Sequence, residues 1–456
     1  MKVLLTHGYF LADDPKEQAI MKPYVPLGIL YISAWLEKHG IENEVFDSTF
    51  QTFELQLSKI RTYQPDVIAI YTNLMTKLNV LRLVNAVKND AQLKHIPVIL
   101  GGPEVRNHAE KFLTHGADLL VVGEGEETML EVVKAIDEAK AIPLHIDGTA
   151  VWHNGALKMN AERKLVRNID ELPFPNRHKV DLHLYLNAWK ARHGYSMVSV
   201  STMRGCPYTC KWCSRAVYGG TYRRRSPALV VDELESIQQT YNPDKIWFVD
   251  DVFTISHKWL KEFAAEIERR KLKVSYEIIS RADRMSEEVI ELLRQSGCFR
   301  VWIGAESGSQ RIIDAMDRRV DVQQVRNMIK LSRRQGIEAG TFIMLGYPGE
   351  TRADIKETIR HLVESAPDQY TITIAYPIKG TRLYEEVEDK FTTTLNWAQS
   401  TDREIDFQRT YSRKYYEYAV RWVYNAVGAS RTQNPLRKMY LTGKGVFAQL
   451  LMQWNA

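Results

Sequence analysis

Residues 197–213 read MVSVSTMRGCPYTCKWC, and the rest of the chain is organised around that stretch. Positions 197–201 form a short apolar run that reads as a β-strand. The loop behind it carries Cys206, Cys210 and Cys213 in a CxxxCxxC spacing. Three thiolates on one short loop can hold three irons of a cube and leave the fourth iron without a protein ligand. An open iron is a place to bind and reduce a small molecule. A structural zinc would need a fourth ligand. The one other cysteine, Cys298, lies 85 residues further on and reads as a buried apolar residue.

Downstream, strands are expected at 245–249, 274–279, 301–303, 340–344 and 369–374. Helices separate them, with Val289, Leu292 and Leu293 in one and Val325, Ile329 and Leu331 in another at helical spacing. Six βα units predict a partial barrel whose functional groups lie at the carboxyl ends of its strands. The strand ends carry chemistry in register. WFVDDVFT supplies Asp250 and Asp251, IISRADR supplies Arg281, WIGAESGSQ supplies Glu306 and Ser307, and FIMLGYPGET supplies Gly346. Singly, the acids could be helix caps and the glycines turns. Their joint placement at successive strand ends is the signal.

Before the barrel, strands are expected at 3–6, 43–47, 67–71, 98–101 and 119–122. They alternate with helices at 29–39, 53–62, 77–88, 105–115 and 128–139. Five βα units predict a flavodoxin-like or Rossmann-like α/β domain that binds ligands outside the carboxyl ends of its strands. His7 and Gly8 follow the first strand, Asn73 and Leu74 the third, Gly101 and Gly102 the fourth, and Glu124, Gly125 and Glu126 the fifth. A hairpin is expected at 148–160 around Asn154-Gly155, followed by the linker ELPFPNRHKVDL. The expected division is 1–140, the Rossmann-like ligand-binding domain; 141–190, hairpin and linker; 191–390, partial barrel; and 391–456, a helical C-terminal segment.

At 456 residues the chain exceeds one core, and its net charge of +5 gives no case for nucleic acid. No apolar run reaches the roughly 18 residues of a membrane span, and MKVLLTHGYF does not read as a signal peptide. With only four cysteines, three of them clustered, a cytoplasmic protein without a disulfide framework is expected. From Phe407 onward eight basic residues face the single acid Glu417. Tyr415, Tyr418, Trp422 and Ala426 recur at helical spacing there. The preferred reading packs that stripe on the barrel; the other has it touch a membrane surface or an amphiphilic substrate.

The CxxxCxxC loop after a first barrel strand resembles the signature of the radical S-adenosylmethionine (SAM) superfamily. The resemblance implies that Cys206, Cys210 and Cys213 hold a catalytic 4Fe-4S cluster and that SAM chelates the open iron and is cleaved to a 5'-deoxyadenosyl radical. It further implies Trp212 beside the adenine, Asp250 and Asp251 at the SAM ammonium, Arg281 at its carboxylate, Glu306 and Ser307 at the ribose, and Gly346 close to the ligand.

A flavodoxin-like domain, the linker and then CxxxCxxC resemble the cobalamin-binding class of that superfamily, which includes methyltransferases and the anaerobic magnesium-protoporphyrin monomethyl ester cyclase. VPLGILYISAWLEKHG, PVILGGPE and VVGEGEET carry the likeness, over about residues 1–390. It implies cobalamin between the domains, near His7, Gly8, Pro26, Leu27, Gly28, Asn73, Leu74, Gly101, Gly102, Glu124, Gly125 and Glu126. No DxHxxG sequence is present, so the resemblance implies cobalamin without histidine on cobalt, or weakly bound. A cofactor-free scaffold is the plain alternative for this domain. No cysteine precedes Cys206, which removes the methylthiotransferases.

The function so implied is methylation of an unactivated carbon of a small molecule, with a one-electron donor such as flavodoxin or ferredoxin. The alternative within the class is a non-methylating cyclase or oxidase of the tetrapyrrole type. From outside it, a metal-stabilised interaction protein would hold zinc and cleave no SAM.

Overall fold

A computed structural model describes every residue from Met1 to Ala456. The apolar runs near the amino terminus form β1 (Lys2–His7), β2 (Glu42–Phe46), β3 (Val67–Tyr71), β4 (Val98–Gly101) and β5 (Leu119–Val121). All are parallel, in the order β2-β1-β3-β4-β5. Alternate residues serve opposite faces: Val3 and Leu5 join one core, Leu4, Ile68 and Ile70 another. Helices Leu27–Lys38 and Glu126–Ala139 cover the first face through Ile29, Leu30, Met129 and Val133. Helix Lys77–Asn89 covers the second through Val80 and Val84. This is the flavodoxin-like arrangement, and the reversal of order between β1 and β3 opens a crevice at their carboxyl ends.

Two details differ from expectation. The helix expected over 105–115 is broken into Pro103–Asn107 and Ala109–Thr114, because His108 between them leaves the helical region at φ −129°. The hairpin forms, with Asn154 and Gly155 both at positive φ as a primed turn requires. Its strands β6 (Thr149–His153) and β7 (Ala156–Met159) do not stand apart as a connector, however. β6 pairs antiparallel with β5, and the sheet grows to seven strands.

The second half contributes β8 (Met197–Val200), β9 (Met203–Arg204), β10 (Arg223–Arg224), β11 (Lys245–Phe248), β12 (Tyr276–Ser280), β13 (Cys298–Glu306), β14 (Glu338–Leu345) and β15 (Gln369–Ile374). β8 and β11 to β15 make one parallel six-stranded sheet with β8 and β15 at its edges, a partial barrel. The core behind β1 and β3 continues through Val180, Leu182 and Tyr185 into this barrel, so the two sheets share one apolar interior. β13 runs longer than expected. Its register slips between Gly304 and Glu306, and Glu306 lands in the left-handed region at φ 65°. Such a conformation is costly for a residue other than glycine, and it lies at the carboxyl end of the strand.

Residues 392–412, expected to begin the helical segment, are mostly irregular. The helices start at Arg413, as Arg413–Arg431 and Pro435–Trp454. The first buries Tyr415, Tyr416, Trp422 and Val423. No helix is long and apolar enough to cross a membrane.

Candidate active site

β9 and β10 pair antiparallel, Arg204 with Arg223 and Met203 with Arg224, and so close the base of the loop 205–222 that carries the three cysteines. Gly205 opens that loop at φ 82°, and any Cβ there would run into the Thr221 carbonyl. Only glycine fits the position. Asp250, just past β11, pins the same base. Its buried carboxylate accepts from the Thr202 N–H at 2.7 Å, the Met203 N–H at 3.2 Å and the Thr202 hydroxyl, and meets Arg224 at 3.4 Å. Arg224 lies 3.4 Å from the ring centroid of Trp259. Asp250 is therefore engaged by protein donors, and both it and Asp251 beside it line the cavity described below.

Burial raises the Cys206 thiol, and the Asp251 carboxylate pushes it in the same direction; Cys213 is exposed at the loop surface. Cys210 instead faces two guanidinium groups, Arg281 Nη1 at 3.6 Å and Arg318 Nη1 at 3.9 Å from its sulfur. Arg281 is held by Asp283 at 2.9 Å and the Arg318 carbonyl at 2.7 Å, and stacks 3.8 Å over Tyr208. Arg318 donates to the Gly304 carbonyl at 2.6 Å and stands 3.6 Å from Glu306.

No three His, Cys, Asp or Glu side chains stand together as a ready-made metal-ligand group. The fit of a cluster is therefore judged on the donors. Three free thiols share one loop, cationic N–H groups are aimed at the middle sulfur, and Cys298 is excluded at the far, amino end of β13, where it donates to the Arg300 carbonyl. Thiols give up their protons to a bound cation. The donor set suits an iron–sulfur cube with one corner free of protein.

A cavity of about 520 Å³ lies between the two sheets. Leu27, Gly28, Tyr71, Gly101 and Gly123 form one wall; Met203, Arg204, Cys206 and Asp251 form the other. A second chamber of about 640 Å³ shares Leu27, Gly28, Tyr71 and Val249 with it and runs past Asn73 and Leu74 to Trp247 and Tyr376. Each lies within the roughly 300–1,000 Å³ of ordinary small-molecule sites, and together they exceed it. A Cβ on Gly28 would find only Tyr71 at 3.9 Å; one on Gly101, only Val121 at 3.8 Å; and one on Gly123, only Arg106 and Val217 at 3.8 Å. Space that larger side chains would fill stays open along the crevice. That fits a broad, flat ring such as a corrin.

The structure sorts the expected cobalamin residues. Pro26, Leu27, Gly28, Asn73, Leu74, Gly101, Gly102, Glu124, Gly125, Glu126 and His7 line one chamber or the other. Gly8 lines neither; its Cβ would meet the Val80 backbone nitrogen at 2.9 Å, so it serves packing. Both ring nitrogens of His7 are engaged, Nε2 with Asp47 at 2.9 Å and Nδ1 with the Tyr9 N–H and the Ser48 hydroxyl at 3.1 Å. None is left for a metal. Asn73 spends its side-chain oxygen on the Met75 and Thr76 N–H groups.

Glu124 and Glu126 are committed as well. Arg204 bonds Glu126 and meets Glu124 at 3.1 Å, and Arg223 reaches Glu124 at 2.8 Å. This buried network ties the end of β5 to the base of the cysteine loop. Arg204, Arg223 and Arg318 were not anticipated from the sequence. The run Arg223-Arg224-Arg225 could have been matched to the acids of VVGEGEET, whereas Arg318 gave no signal.

Among the expected SAM contacts, Trp212 and Glu306 meet in a cavity of about 210 Å³ with Phe342, Met344 and Tyr376. Burial raises the Glu306 carboxyl, with Arg318 and then Arg281 opposing. Ser307 is fully buried, accepts from the Ser309 N–H at 3.1 Å and contacts the Thr358 hydroxyl. Gly346 is not open either. Its N–H donates to Glu350 at 2.6 Å, and a Cβ there would meet Tyr416 of the helix Arg413–Arg431 at 3.3 Å.

Comparison with known proteins agrees with this geometry. Residues 200–362 match the radical SAM superfamily, and residues 20–133 match the B12 binding domain. The chain is 30% identical over 413 residues to an uncharacterized methyltransferase of Pyrococcus horikoshii, covering 88% of this chain and 86% of that protein. It is 26% identical over 409 residues to the anaerobic magnesium-protoporphyrin IX monomethyl ester cyclase of Rubrivivax gelatinosus, covering 86% of this chain and 70% of that one. The structure of the radical SAM methyltransferase TsrM from Kitasatospora setae, with cobalamin and a 4Fe-4S cluster bound, superposes over 99% of both chains with a TM-score of 0.74. At 15% identity that likeness is one of fold.

Proposed function

The chain belongs to the radical SAM superfamily, in the branch with a B12-binding domain ahead of the barrel, and from that premise we propose that it methylates an unactivated carbon of a small-molecule substrate. The observation that carries the reading is the single cavity with a glycine shelf on one wall and Cys206 and Asp251 on the other. When bound, the iron–sulfur cluster and SAM supply radical chemistry, and cobalamin supplies the methyl group.

The chain's own residues do the holding. Cys206, Cys210 and Cys213 bind the cluster, and Arg281 and Arg318 offset the charge on Cys210, as outer-shell donors do at metal sites. Asp251 takes the SAM ammonium in place of Asp250, Glu306 and Arg318 bind at the mouth of β13, and Trp212 lies against the adenine. The shelf of Gly28, Gly101 and Gly123 would receive the corrin, and His7, with both ring nitrogens bonded within the protein, is not available to ligate it. Leu27, Tyr71, Met203 and Val249 keep the cavity apolar, so the target carbon is held close and dry.

The reading includes an α/β cofactor domain over 1–140, a connector to 190, a barrel to 390 and a helical end. It also includes a cytoplasmic setting, a flavodoxin or ferredoxin as electron donor, and no nucleic acid. A second reading, cyclisation or oxidation without methyl transfer, is kept by the likeness to the anaerobic cyclase. Anaerobic reconstitution with iron, sulfide and cobalamin, then dithionite, SAM and candidate substrates, tests both. 5'-Deoxyadenosine together with S-adenosylhomocysteine, and a product heavier by one methylene, supports methylation. 5'-Deoxyadenosine alone, with a cyclised or oxidised product, supports the second reading. Zinc in the purified protein and no SAM cleavage removes both.

A further inference from the structure

We propose that the outer face of the C-terminal helix Pro435–Trp454 docks on an anionic lipid bilayer, lying flat in the headgroup region. Leu436, Met439, Tyr440, Phe447, Leu450 and Trp454 are 74, 69, 60, 61, 50 and 85% exposed. Their spacing places them on one stripe. On the opposite side Gly445, Ala448 and Met452 are buried, with Gly445 close to Trp422 of the preceding helix. The helix is thus apolar on two opposite faces, and the protein covers only one. The aromatic stripe read from the sequence, with Tyr415 and Trp422, belongs to that preceding helix, where both side chains are buried.

Charge selects the occupant. Arg437 and Lys444 flank the apolar stripe, Lys438 lies behind it, and the helix carries no acid; across 407–456 Glu417 alone opposes eight cations. A second copy laid on this face would bring those cations against their like. Anionic headgroups would neutralise them while the stripe enters the acyl boundary, with Tyr440 and Trp454 as the ring types that favour that depth. The helix is not a span, so the contact is peripheral.

Flotation of the full-length protein with vesicles tests this. Phosphatidylglycerol-containing vesicles should carry the protein up, phosphatidylcholine vesicles roughly tenfold less, and raised salt should release it. The double variant Phe447→Ser, Leu450→Ser, at exposed positions, should keep the wild-type melting temperature and lose flotation. Absence of flotation with anionic vesicles overturns the proposal, as does equal flotation of the double variant. A wild-type dimer that the same substitutions dissociate, with no lipid binding, also overturns it and assigns the face to a second copy.

Discussion

The carboxyl edge of the first sheet and that of the barrel face each other across one cavity and are built on opposite plans. The first edge is shaped by what is missing: Gly28, Gly101 and Gly123 leave room, and the polar groups nearby, His7, Asn73, Glu124 and Glu126, are spent on the protein itself. The barrel edge is shaped by charges kept in place despite burial. Arg281 and Arg318 face Cys210, and Glu306 sits strained against Arg318. Buried charges persist only with partners or a ligand. One edge is therefore prepared for bulk and the other for charge.

Removing a ligand from the charged edge should have the largest effect. Cys210→Ala should abolish SAM cleavage and lower bound iron while leaving cobalamin binding intact; iron assay and visible spectra decide, and retained cleavage would break the assignment of the loop. Next comes the bridge between the edges. Arg204→Ala leaves Glu124 facing Arg223 alone and Glu126 without its ion pair inside the protein, a change that typically costs about 3–5 kcal/mol. Denaturant unfolding should show that loss, and a cost under about 1 kcal/mol would mean that the tie between the domains lies elsewhere.

The glycine edge is tested by filling it. Gly28→Leu adds a side chain where only Tyr71 is near and where a helix begins, so folding is retained. Cobalamin affinity should fall by roughly tenfold or more, about 1.4 kcal/mol, while iron content stays unchanged. Equal loss of both cofactors would erase the distinction between the two edges.

Much of this was legible because strand periodicity and motif spacing are local properties. The order of βα units, the cysteine loop and the glycine shelf follow from neighbours in sequence. What escaped the sequence was pairing at long range. Asp250 and Asp251 are adjacent, look alike and line the same cavity, yet register with Thr202 and Met203 ties only the first to the base of the cysteine loop. Ser307 and Gly346 sit at the right strand ends, but Thr358 and Tyr416, distant in sequence, close over them. Arg318 follows no motif because it reaches the cluster loop from a turn after a helix.

The smallest effect sharpens the comparison at a buried acid of the first domain that, unlike Glu124 and Glu126, has no arginine partner. Glu104, of PVILGGPE, lies just past β4, 6% exposed, with Oε2 unpaired. Burial pushes its carboxyl up to about 7, with Asp402 adding to the shift and Lys77 opposing it. His108, 3.9 Å from both acids, is held neutral because burial drives it down to about 3. A carboxyl raised in the folded state binds its proton more tightly there than in the unfolded chain. Its contribution is therefore fully present below about pH 4.5 and is lost as pH rises through about 7. Glu104→Gln, neutral at every pH, should thus be more stable than the wild type at about pH 8 by on the order of 2–3 kcal/mol, with the gain fading toward pH 5. Urea unfolding at the two pH values measures it. A variant less stable at the higher pH would mean that Glu104 works there as an anion.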